Sequence, residues 1–203
     1  MHALLSSFDQ AVATALQTTQ RAHQLDASGS YEFALDQREM ISQAAFVRIF
    51  IAFEEFLEKS FEYYGMGGRS LAGNTASCYA AAPTAEHLRR MFIGLMRFVD
   101  WSTPEKVRDL AKLYFVNGEP FHTPIAAADA VLRDMKTVRN AASHVSTTTT
   151  APAEALYARW TSQPVAGVTA YQVLMAVGSA TGTTFMAHSE KILRGVVTQI
   201  ANH

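Results

Sequence analysis

Residues 139–144 read Arg-Asn-Ala-Ala-Ser-His. Arginine keeps its charge at any working pH and offers a planar fork of donors that matches carboxylate or phosphate oxygens. Histidine, with an ordinary pKa of about 6.5, takes or gives a proton near neutrality. Arg139 and His144 with Asn140 beside them can therefore combine anion binding with proton transfer. The same residues also have a structural reading, in which Arg139 is half of a buried ion pair and His144 ends a helix, where an imidazolium suits the dipole.

The elements around these residues sharpen the question. On a helical wheel Ala128, Val131, Leu132, Met135 and Ala142 fall on one side, and Arg139 falls among them. A buried guanidinium must meet a carboxylate or line a cleft that an anion can reach. A long earlier pattern over 31–64 supplies a candidate mate. Its apolar stripe runs through Phe46, Phe50, Phe53, Leu57 and Phe61, with Arg48, Glu55, Lys59 and Glu62 opposite and Glu54 at the stripe's edge. An off-pattern acid and an off-pattern base on two core-facing helices predict a Glu54–Arg139 pair; the alternative is a Glu54 that reaches solvent at the rim. His144 stands about 140° around a straight helix from Arg139, but one turn from Asn140. Arg139 and His144 converge only if the helix frays after Ala142 or if two copies meet across a symmetry axis.

Apolar spacings of three and four dominate the chain and predict an all-α, single-domain bundle of six to seven helices over 1–203. A first helix covers 3–24. The second, 31–64, stops at Gly65. Four glycines make GMGGRSLAGNTAS a loop, and it lacks the lysine and serine order of a phosphate-binding loop. Pro83-Thr84 opens a third helix holding Leu88, Met91, Phe92, Leu95, Met96 and Val99. Thr103-Pro104-Glu105 opens a fourth, and Thr123-Pro124 opens the fifth, which carries the motif. STTTTAP is expected to break the chain before a short helix at 152–161. Thr169 and Gln172 form a capping box for a last helical region to about 200, within which Gly178 and Gly182 could allow close helix approach. Any strand is expected within GVTAYQVLMAV.

The 203 residues are 49% hydrophobic and 17% charged, so the chain folds around a core. A net charge of −1 excludes strong global attraction to nucleic acid, which would then need a local basic patch. Arg89, Arg90 and Arg97 could form one, though a solvated face is the commoner outcome. One cysteine, Cys78, excludes an internal disulfide. No membrane span and no signal peptide are expected, and a cytoplasmic location follows as the default. The other histidines are scattered without metal-ligand spacing, so neither a metal nor another cofactor is expected. Ser143 lies outside any nucleophile elbow.

The run from Arg139 to His144 resembles the R-x4-6-H motif of HEPN domains, in which a polar residue, often Asn, commonly follows the arginine. The FIAFEEFLEKSF stretch at 50–61 resembles the earlier long helix of such domains. In a chain of this composition an Arg-Asn-x3-His run arises by chance about 0.01 times, so the spacing with its asparagine is specific. The likeness covers roughly 30–150, with 151–203 as a helical extension. Ala141 and Ala142 depart from it, since bulkier aliphatics often fill those positions.

The resemblance to toxin-type HEPN ribonucleases implies an all-α fold and a metal-independent endoribonuclease. It further implies a homodimer whose paired motifs face one cleft, acting as a toxin or defence effector. Arg139 would stabilise the phosphoryl group, His144 would transfer the proton, and Asn140 would bind the scissile phosphate or orient His144. Glu54 would support Arg139. RNA is the implied substrate and a nucleotidyltransferase-type antitoxin a further partner. The alternative is an inactive HEPN domain, kept as a dimerisation or nucleotide- or RNA-binding module; near-neutral charge favours it.

Overall fold

The computed structural model describes residues 1–94, 98–144 and 146–203. Among these residues the fold is all-α, with eight α-helices and isolated bridges in place of strands. The helices are α1 (His2–Ala22), α2 (Leu35–Gly65), α3 (Ala85–Ile93), α4 (Pro104–Tyr114), α5 (His122–Ser143), α6 (Thr147–Thr161), α7 (Ala170–Met175) and α8 (Phe185–Asn202). Leu95 and Met96, expected in the third helix, and Arg97 of the possible basic patch lie outside the described residues. No helix is long and apolar enough to cross a membrane among the described residues.

The chain forms two compact units, each discontinuous in sequence. One comprises Met1–Phe8, Phe53–Arg133 and Ile192–His203; the other comprises Asp9–Ala52 and Asp134–Lys191. Residues 151–203 are therefore shared between the units.

The first unit is organised around Phe61, whose side chain is wholly buried. The rings of Phe121, Trp101, Phe115 and Phe92 surround it at centroid distances of 3.9, 4.9, 5.3 and 5.6 Å. One turn later the buried Tyr64 donates its hydroxyl proton to the Ile200 carbonyl at 2.7 Å. The glycine-rich loop caps the end of α8: Leu71 N–H donates to the Ala201 carbonyl, and Ser70 Oγ and Asn74 Nδ2 donate to that of His203 at 2.9 and 2.7 Å. Those carbonyls have no partner inside the helix, so the loop supplies one.

In the second unit Phe46 packs against Phe185, and Phe185 meets Trp160 edge to face at 5.4 Å. Buried Ile49, Phe50, Met135, Val138, Leu156, Val173 and Leu174 complete its core. Thr169 and Gln172 cap α7 reciprocally, as the capping-box spacing predicts.

Four expectations are corrected. First, α2 begins at Leu35, because Asp26 Oδ1 accepts bonds from Ser28 N, Ser28 Oγ and Ser30 N and turns the chain, leaving Tyr31 bridged to Leu25. Second, Val99 lies beyond α3, which stops at Gly94 with a φ of 54°. Third, STTTTAP is largely helical: Ser146 and Thr149 form a reciprocal cap, and α6 then buries Ala153 and Leu156. Fourth, the last helical region divides into α7 and α8, which takes the helix count past seven. Between them a Val177–Thr184 bridge closes a turn in which Gly182 has a φ of 66°, so this glycine serves the turn.

Candidate functional site

The site occupies the C-terminal end of α5. The helix holds its hydrogen bonding to the end: Ser143 Oγ donates to the Arg139 carbonyl at 2.9 Å, and His144 N–H donates to the Asn140 carbonyl at 3.0 Å. There is no fray after Ala142. A helix regular to this point sets Arg139 and His144 about 140° apart, so one copy presents them on different sides of its end. The chain beyond is anchored too, since Thr149 Oγ1 donates to the His144 carbonyl at 2.6 Å.

Arg139 is half-buried on the face that also carries the buried Met135. Its Nη1 donates to Asn140 Oδ1 at 3.2 Å, while its Nε is buried and has no hydrogen-bond partner. A guanidinium nitrogen withdrawn from water without an acceptor is costly, and an anion would relieve that cost. Asn140 is half-buried and His144 is exposed. The structure thus places Arg139 and Asn140 in contact and His144 one turn above Asn140. Glu54 is half-buried in the part of α2 belonging to the first unit, whereas Arg139 belongs to the second. Their pairing remains an expectation.

Several other charges are matched. Asp129 receives Arg108 and Arg133, and Arg133 also meets Glu105. Asp134 holds Arg159 at 2.6 Å. Arg89 grips Glu62 through two bonds, at 2.8 and 2.9 Å, and Arg90 bonds Glu86 at 2.6 Å, so these two arginines do not form an uncompensated patch. Among the described residues no three His, Cys, Asp or Glu side chains are grouped as a metal site would require. Two cavities of about 240 and 580 Å³ share Glu62 and Arg89 in the first unit, and the α5 motif lines neither.

A second cluster, in the other unit's α1, α2 and α7, was not legible in the sequence. His23 Nδ1 bonds the Thr19 carbonyl at 2.9 Å and its Nε2 bonds the Tyr171 hydroxyl at 3.1 Å. Tyr31 stands edge-on to His23, and the Arg38 guanidinium lies 3.6 Å from the Tyr31 ring centroid. No sequence spacing signals it, because His23 and Tyr171 are 148 residues apart.

Comparison with protein-family models, curated proteins and solved structures gives no match for this chain. The HEPN reading therefore stands on the residues themselves.

Proposed function

We propose that this chain is a metal-independent endoribonuclease of the HEPN type, working as a homodimer in which the α5 ends of two copies share one cleft. The observation that carries the reading is the grouping of Arg139, Asn140 and His144 at one helix end. There a half-buried guanidinium has an unpartnered Nε, and an exposed imidazole lies one turn above the asparagine. In the reaction the O2′–P bond forms as the P–O5′ bond breaks, leaving a 2′,3′-cyclic phosphate. His144 takes the 2′-hydroxyl proton, and the departing 5′ oxygen takes a proton from water, whose hydroxide the His144 imidazolium then neutralises. Arg139 binds the phosphoryl oxygens as charge accumulates on them. Asn140, already bonded to Arg139, keeps its amide N–H donors for the phosphate or for orienting His144. Such an activity suits a toxin or defence effector held in check by a nucleotidyltransferase-type antitoxin. RNA cleavage in excess EDTA, with products assayed for the cyclic phosphate, tests the chemistry.

A second reading is favoured by the net charge of −1 and by the pairing of Arg89 and Arg90 with carboxylates. RNA binding draws much of its affinity from neutralised phosphates. On this reading the domain is inactive and serves dimerisation or the binding of a nucleotide. Wild-type protein that dimerises and leaves RNA intact would support it.

A further inference from the structure

We propose that His23, Tyr31, Arg38 and Tyr171 form a binding site for a small phosphate monoester whose organic part is apolar. This site is separate from the α5 motif and independent of the ribonuclease reading. Four side chains from the end of α1, the loop at 26–34, the start of α2 and α7 converge here, all within one compact unit.

Arg38 is the anion-binding element. It is half-buried, its Nε is buried without a hydrogen-bond partner, and among the described residues no carboxylate lies within ion-pair distance of it. Arg89, Arg90, Arg108, Arg133 and Arg159 each meet a carboxylate, whereas Arg38 is a half-buried cation without a counter-ion. Stacking on Tyr31 holds the guanidinium plane, and stacking leaves the donors at the guanidinium edge free for oxyanions.

Tyr171 supplies the second polar contact. The Thr19 carbonyl can only accept, so Nδ1 of a neutral His23 carries the proton and Nε2 accepts from the Tyr171 hydroxyl. That hydroxyl can turn from His23 to an anion bound on Arg38. Burial raises the pKa of Tyr171, and the charge of Arg38 acts against that rise, which places the guanidinium within electrostatic reach of the phenol. Glu39 also reaches Tyr171, with the opposite effect, and limits the site to ligands whose charge Arg38 can outweigh.

The apolar requirement comes from the rim. Leu25 and Tyr31 are joined by a backbone bridge and are 56% and 50% exposed, and Leu35, one turn before Arg38, is 55% exposed. Large apolar side chains beside an uncompensated cation suit a ligand with an anionic head and an apolar body.

The test is titration of the full-length, isotope-labelled chain with phenyl phosphate, inorganic phosphate and phenol, followed by two-dimensional NMR and calorimetry. Saturable binding of phenyl phosphate is expected, with the largest shifts at residues 23, 31, 38 and 171, weaker binding of inorganic phosphate at the same residues, and no binding of phenol. Arg38→Met should weaken phenyl phosphate by about tenfold or more through loss of a charge-assisted fork. Tyr171→Phe, which leaves Arg38 in place, should weaken it by a few-fold. The proposal is overturned if no saturable binding occurs in the millimolar range, if the shifts cluster elsewhere, or if folded Arg38→Met binds as tightly as wild type. Should Arg38→Met fail to fold, unchanged affinity in Tyr171→Phe overturns it.

Discussion

Arg139 and Asn140 are bonded to each other, Nη1 to Oδ1 at 3.2 Å, while Nε of the same guanidinium is buried without a partner. Leaving it open keeps an acceptor's place for a phosphate oxygen and costs the free protein some stability.

That cost is measurable. Arg139→Met keeps the apolar stem and removes the unsatisfied nitrogen, so we expect it to stabilise the fold by about 1 kcal/mol while abolishing cleavage. Chemical denaturation alongside an RNA assay checks both halves. A destabilised Met variant would mean that the guanidinium is fully satisfied in solution.

Regular helix geometry up to Ser143 separates Arg139 from His144 within one copy, so the proposed ribonuclease site requires two. We expect a homodimer by light scattering, burying more than about 1,000 Å². Mixing Arg139→Ala with His144→Ala protein should recover roughly a quarter of wild-type activity, because half the dimers are mixed and each of those holds one intact composite site. No recovery after subunit exchange would place the whole site within one chain.

His188 lies beside Trp160, with ring centroids 5.2 Å apart, and burial, then the charge of Lys191, holds its pKa below the ordinary 6.5. The folded state thus binds this proton less readily than the unfolded chain does. Its full contribution to stability is present above pH 6.5 and is lost as pH falls through the lowered folded value. Melting temperature should therefore drop on acidification below 6.5, and His188→Gln should show a shallower drop in a parallel series of thermal melts.

Gly178 is buried against Trp160, and a Cβ there would stand 2.6 Å from Trp160 Cζ2 and from Thr181 Oγ1. Trp160 cannot give way freely, because its Nε1 donates to the Ala176 carbonyl at 2.9 Å. Gly178→Ala should cost about 1–3 kcal/mol, visible as an earlier denaturation midpoint with altered tryptophan fluorescence.

Much of the fold was legible where local chemistry decides it. The side-chain caps at Thr84 and Thr169 stand where their spacings place them, Pro104 opens α4 after Thr103, whose hydroxyl donates to Asp100, and Gly65 ends α2 as expected. The run at 146–152 was not legible, because four threonines and a proline argue against helix on propensity alone. The reciprocal Ser146–Thr149 cap and the burial of Ala153 and Leu156 outweigh that propensity. At the α5 site, spacing four between Asn140 and His144 was readable, and so was Arg139's place on the apolar face. The His23, Arg38 and Tyr171 cluster was hidden because only the folded chain brings α1, α2 and α7 together.

Cleavage of RNA by wild-type and His144→Ala protein in excess EDTA tests the central claim most directly. His144 is exposed at the helix end, so its removal leaves no cavity and the melting temperature should not change. Wild type is expected to cleave and leave 2′,3′-cyclic phosphate ends, and His144→Ala to be slower by about 10²–10⁴-fold. Cleavage that requires added divalent metal, or a His144→Ala variant as fast as wild type, would contradict it.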